Sequence, residues 1–247
     1  MIAALPMYWR DETAPAWHRF WRHVQTELQD CPNLSAPETL PRNLTQHWLS
    51  GDLYLSQTCG LPFRTVLKHR VTYVGTFDFG LDGAMSGEYR SVAVTRADET
   101  REWRHLRLAY NAADSQSGWA AAHSTLGARG VDRLAGYLET GSHAASARAV
   151  RNGDADLAFL DEVTWRLLML YDGRLDHLRI VARTPPTPGL PLISRRGIDP
   201  DPLRRALSNA IAQIPASDRI AMGGLRGLTV IPEDCYFTLP APLPPPN

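Results

Sequence analysis

Residues 111–118, Asn-Ala-Ala-Asp-Ser-Gln-Ser-Gly, constrain this chain more than any other stretch. A short apolar run at 106–110 precedes them, and an apolar-patterned stretch at 119–126 follows. The first reads as a strand and the second as a helix, so Ser115 and Ser117 sit where one hands over to the other. A helix start presents unpaired backbone N–H groups and partial positive charge. Hydroxyls there add donors, and the whole suits a small anion. Plain N-capping by Asp114, Ser115 or Ser117 explains the same residues.

Two other places repeat the pattern. Residues 53–55 run into Ser56-Gln57-Thr58-Cys59-Gly60, and residues 137–139 into Thr140-Gly141-Ser142-His143. Hydroxyl-rich corners of this kind gather ligands beyond the carboxyl ends of strands in open α/β sheets. His143 at a helix start is expected to be neutral and to donate to an anion, since an imidazolium there is unfavourable. Asp161 reads either as a cap or as an acceptor for a cationic or hydroxyl group on a ligand. Cys59 is the cysteine inside a motif, Arg90 is a candidate anion partner, and Trp165 fits either a cleft wall or the core.

The rest alternates strand and helix. Trp17, Phe20, Trp21, Val24 and Leu28 recur at helical spacing and read as a core stripe. Pro62 opens a short helix reaching residue 68, and 89–95 alternates as a strand. A helix at 143–150 ends at Asn152-Gly153. A buried strand at 156–160 leads into an amphipathic helix at 161–171. A strand at 178–183, a four-proline connector at 184–191 and a helix at 202–214 follow. Alternation of this sort implies an α/β fold. The expected organisation is a first lobe of 1–94 plus 182–247 and an inserted second lobe of 95–181. The proline-rich residues 240–247 are expected to be a disordered tail.

Composition narrows the partners. The 26 basic residues balance the 26 acidic ones, which argues against nucleic acid or an acidic membrane surface. No apolar run approaches a membrane span. The three cysteines lack metal-site spacing, and neither a metal nor a cofactor is expected. The opening residues lack a secretion-signal pattern, so the chain as given reads as cytoplasmic, and as periplasmic if a leader has been removed.

Several phrases in order resemble the phosphate/phosphonate-type substrate-binding proteins of ABC transporters, in the type II periplasmic binding protein superfamily. They are Leu5-Pro6-Met7-Tyr8, Leu55-Ser56-Gln57-Thr58-Cys59-Gly60, Tyr89-Arg90-Ser91, the 111–118 phrase, Thr140-Gly141-Ser142-His143, residues 161–165 and Pro188-Gly189-Leu190-Pro191. The resemblance implies a two-lobed fold that closes on a ligand in a cleft between hinged lobes. It implies capture of a small oxyanion-bearing ligand without chemistry, and an ABC permease as partner. Ser56, Gln57 and Thr58 would serve from the first lobe; Ser115, Gln116, Ser117 and His143 from the second. Tyr8 would wall the cleft, and Asp161 would meet an amine or hydroxyl. The alternative is a cytoplasmic enzyme on the same fold, acting on a small organic acid or heterocyclic metabolite, with Asp161, His143 or Cys59 as acid–base or nucleophile.

Overall fold

The computed structural model describes residues 1–173 and 175–246. The chain divides into two compact units, Met1–Glu88 with Pro188–Leu239, and Tyr89–Thr187 with Pro240–Asn247. In chain order the strands are β1 (Ile2–Ala4), β2 (Leu53–Gln57), β3 (Val71–Asp78), β4 (Glu88–Tyr89), β5 (Ser91–Arg96) and β6 (Arg107–Tyr110). Then come β7 (Gly136–Glu139), β8 (Leu157–Asp161), β9 (Leu178–Arg183), β10 (Thr187–Pro188), β11 (Pro191–Arg195) and β12 (Gly227–Thr229). The helices are α1 (Ala14–Glu27), α2 (Leu44–Trp48), α3 (Gly60–Arg64), α4 (Ala121–Ala128), α5 (His143–Asn152), α6 (Glu162–Tyr171), α7 (Asp201–Gln213), α8 (Ala216–Ala221) and α9 (Glu233–Phe237).

The first unit carries a sheet in the order β1-β2-β11-β3-β12. β1 and β2 run parallel, whereas β11 returns antiparallel between β2 and β3. The aromatic stripe of α1 buries Trp17, Phe20, Trp21 and Val24, spaced so that one helix face meets the sheet. The rings of Trp17 and Phe20 both pack on Phe77 of β3. Thr13 closes the entry to α1: its hydroxyl accepts from the Arg10 amide at 2.9 Å and donates to the Tyr8 carbonyl at 3.1 Å. A second cluster gathers Trp48, Leu53, Phe63, Tyr73 and Tyr236. It includes α9, an element that the sequence pattern did not disclose, as it did not disclose β12. The helix expected to reach residue 68 is shorter, since α3 ends at Arg64.

The second unit has a sheet in the order β7-β6-β8-β5-β9. β7, β6 and β8 are parallel neighbours, and β5 and β9 run antiparallel at the far side. Each parallel strand is followed by a helix, so three helix starts lie at one edge of the sheet. The expected lobe boundaries, 94/95 and 181/182, fall inside β5 and β9. Those strands pair with each other from Val92–Arg183 to Arg96–Leu178 and belong to one sheet. The units therefore change at 88/89 and 187/188, where β4 and β10 pair as a two-stranded ladder. Beside that ladder, in the first unit, Gly189 donates to the Gly87 carbonyl at 2.9 Å. A Cβ on residue 189 would stand 2.5 Å from that oxygen, so only glycine fits. In the proline-rich tail, the Leu243 carbonyl accepts from the Trp119 indole at 2.7 Å; Asn247 lies outside the described residues.

Candidate functional site

In the second unit the ladder between β6 and β7 continues past both strands. Thr140 donates to Tyr110 and Gly141 to Asn111, each at 2.9 Å. This brings the 111–118 loop and the start of α5 together. The expected helix at 119–126 begins earlier and wider than a normal α-helix. Residues Gln116–Ala120 form a π-turn, with the Ala120 amide reaching back to the Ser115 carbonyl at 2.9 Å, and α4 continues from it. Such wide turns are frequent at functional sites. Ser115 caps the turn, its hydroxyl accepting from the Gly118 amide at 3.0 Å. The Asn111 side-chain oxygen lies over Gly118, close to where a Cβ would be, so any larger residue here must push that side chain aside.

Ser117 is the centre of this corner. Its hydroxyl lies 2.8 Å from Nε2 of His143, at the start of α5. Its carbonyl accepts from the Ser91 hydroxyl at 2.8 Å, which ties the turn to β5. Ser142 caps α5 by accepting from the Ala145 amide at 3.1 Å. Burial pushes the His143 imidazole down to about 4, against the opposing pull of the Phe159 carbonyl. The ring is therefore neutral near neutral pH, as expected for a histidine at a helix start. Asp161, buried at the end of β8, caps α6 through Oδ1, which accepts from the amides of Val163 at 2.7 Å and Thr164 at 3.1 Å. Gln116 is buried within the turn.

The first-unit corner is built of side chains. Ser56, Gln57 and Thr58 are all 0 % exposed. The Ser56 hydroxyl lies 2.9 Å from Nε2 of His47. The next residue of α2, Trp48, donates its indole N–H to the Gln57 carbonyl at 3.2 Å, and the Thr58 amide donates to Pro191 at 2.9 Å. The backbone is thereby held from α2 and β11. Both amide atoms of Gln57 and the Thr58 hydroxyl are buried without a hydrogen-bond partner among the described residues. Each such group costs about 1–3 kcal/mol, so this corner holds unmet hydrogen-bonding capacity.

Several candidates have other surroundings. Tyr8 is buried in the first unit, its ring edge-on to Phe79 at 4.9 Å. Arg90 pairs with Glu162, which also holds Arg183 at 3.1 Å. Trp165 packs, partly buried, against the Val92–Leu160–Leu168 cluster. Cys59 is half-buried, lies just before α3 and is in no disulfide. His47, Trp48, Asn111 and Ser91 were given no role in the sequence reading. Their work is to hold other residues, and single residues of this kind leave no periodic signal.

The family model of ABC transporter, phosphonate, periplasmic substrate-binding proteins matches residues 2–229. A search of the curated proteins finds no match. Among solved structures, the binding-protein component of a Pseudomonas aeruginosa ABC phosphonate transporter is 15 % identical, with a TM-score of 0.73 over 96 % of this chain and 82 % of its own. PhnD1 from Prochlorococcus marinus, determined in complex with methylphosphonate, is 16 % identical, with a TM-score of 0.69 over 95 % of this chain and 94 % of its own. A Xanthomonas citri protein determined with bound chloride is 18 % identical, with a TM-score of 0.68 over 96 % and 94 %. These likenesses establish the periplasmic binding protein fold. The chain belongs to the family of phosphonate ABC transporter periplasmic substrate-binding proteins. It is a solute-binding protein. No helix among the described residues is long and apolar enough to cross a membrane.

Proposed function

We propose that the protein captures a small molecule bearing a phosphonate- or phosphate-like oxyanion and releases it unchanged to an ABC permease, working in the periplasm once exported. The observation that carries this reading is the edge of the second sheet, where α5, α6 and the π-turn leading into α4 start beyond three adjacent parallel strands. Each such start favours an anion by about 0.3–1 kcal/mol. Ser115, Gln116, Ser117 and neutral His143 add directional hydrogen bonds to that field. Gln57 and Thr58 of the first unit supply groups whose hydrogen bonds are otherwise unmet, and Ser56 contributes its hydroxyl. Tyr8 is proposed as a wall of the site. Asp161, buried at the end of β8, is proposed to accept from an amine or hydroxyl on the ligand.

Calorimetric titration with methylphosphonate, inorganic phosphate and an aminoalkylphosphonate tests the reading. Ser117→Ala is expected to weaken oxyanion binding about tenfold, the worth of one charge-assisted hydrogen bond. Asp161→Asn is expected to change the preference between the amino and plain phosphonates. Unchanged affinity in Ser115→Ala, Ser117→Ala and His143→Gln alike would show that the site lies elsewhere.

A further inference from the structure

We infer that His47, on α2, is a positioning residue that makes the Ser56 hydroxyl a hydrogen-bond donor toward the ligand. The inference rests on the proposed role of Ser56. His47 is 1 % exposed, and its two ring nitrogens have different surroundings. Nε2 lies 2.9 Å from Ser56 Oγ. Nδ1 is buried with no hydrogen-bond partner among the described residues. Burial also pushes the imidazole below its ordinary range, so it carries one proton near neutral pH.

That proton sits on one nitrogen or the other. On Nδ1 it would be a buried N–H with no acceptor, the rarer and more expensive kind of orphan. On Nε2 it donates to Ser56 Oγ, and Nδ1 keeps only an unused lone pair. The second arrangement is favoured, and it fixes the serine. With Oγ already accepting from His47, the Ser56 O–H must find an acceptor elsewhere. The acceptor in reach is the Gln57 carbonyl at 3.4 Å, near the limit for a hydrogen bond and already engaged by the Trp48 indole. The Ser56 proton is thus left for a ligand oxyanion, and the bond received from His47 strengthens the one given. His47 and Trp48 are adjacent on one short helix and act on adjacent residues of β2. The first sets the hydroxyl and the second sets the backbone.

Two measurements decide the matter. The first needs no ligand. The imidazole nitrogen shifts of His47 at pH 7, assigned by their loss in His47→Gln, are expected to report the Nε2–H tautomer; an Nδ1–H tautomer overturns the inference. The second is methylphosphonate affinity. His47→Leu is expected to bind about tenfold more weakly than the parent. His47→Gln, whose amide nitrogen can occupy the Nε2 position, should recover most of that loss. In a Ser56→Ala background His47→Leu should have no further effect, since residues acting as one unit are not additive. An equal loss in both backgrounds means that His47 acts through packing and overturns the inference. Loss of binding in Ser117→Ala with none in His47→Leu would sink this inference alone. Parent-like binding in both Ser56→Ala and Ser117→Ala would sink the site reading beneath it.

Discussion

The two serine–histidine pairs are alike in chemistry and opposite in construction. Ser117 and His143 belong to the starts of two helices that follow parallel strands, and backbone amides surround them. Ser56 lies within β2, and its histidine comes from the five-residue α2 that precedes the strand. α3, which follows, also has five residues and offers little aligned dipole. The second-unit corner therefore draws on a field shared by many N–H groups. The first depends on individual side chains, each held by another. A shared field should tolerate loss of a neighbour, and a chain of held side chains should not.

The largest expected effect lies beneath the first corner. The Tyr236 ring packs edge-on to Phe63 of α3 at 5.1 Å, and its hydroxyl ends a buried chain. Ile231 donates to Tyr73 at 3.3 Å, Tyr73 to Thr76 at 2.8 Å, Thr76 to Tyr236 and Tyr236 to the Gly189 carbonyl at 3.1 Å. Tyr236→Ala empties that core and should cost about 3–5 kcal/mol in urea unfolding. Tyr236→Phe breaks the hydroxyl chain alone and should cost about 1 kcal/mol. Equal costs for the two would mean that the ring contributes little, and the first corner would then not rest on α9.

A middle-sized effect probes the second corner. Gly118→Ala must displace the end of the Asn111 side chain, which lies over the Cβ position and beside the Ser115 hydroxyl. Overpacking of this kind costs about 1–3 kcal/mol, and the π-turn should lose ligand affinity with it. Gly127, at the far end of α4, has nothing within 4 Å of its Cβ position. Gly127→Ala should stabilise by about 0.4–1 kcal/mol and leave affinity alone. If the two variants behave alike, the Asn111–Gly118 contact is not what shapes the turn.

How much of this was legible follows from how each part is encoded. The α1 stripe and the alternation around β5 were readable because their period is carried by many residues at once. So were the caps Ser115 and Asp161, whose role is local in sequence. The resemblance to the phosphonate-binding family supplied the order of the corners and the fold, and the match over residues 2–229 bears it out. What escaped depends on contacts distant in sequence. Nothing in Leu44–Trp48 announces that His47 meets Ser56, and nothing in Glu233–Phe237 announces that Tyr236 reaches Thr76. The π-turn escaped because it is defined by a single wide hydrogen bond, from the Ala120 amide to the Ser115 carbonyl, which leaves no periodic signal in the sequence. β5 and β9 read from sequence as crossings between lobes; their pairing in one sheet depends on contacts far apart in the chain, such as Val92 with Arg183.

The smallest expected effect separates the pairs by pH. His143 is pushed down to about 4 by burial, from an unfolded value near 6.5. Between those values the unfolded chain takes up a proton that the folded corner refuses, so stability rises with pH across the window. The stabilisation from a neutral His143 is complete above pH 6.5 and is lost as pH falls toward 4. Burial shifts His47 the same way, so the parent carries both dependences. His143→Gln keeps a group able to reach Ser117 and removes one titration. Urea midpoints at pH 7, 5.5 and 4.5 should therefore fall less steeply for His143→Gln than for the parent. His47→Gln should give a smaller flattening, because the His143 shift is the larger of the two. Parallel slopes for parent and His143→Gln would mean that the imidazole is hydrated in solution. Its bond to Ser117 would then be too loose to hold a hydroxyl toward an anion.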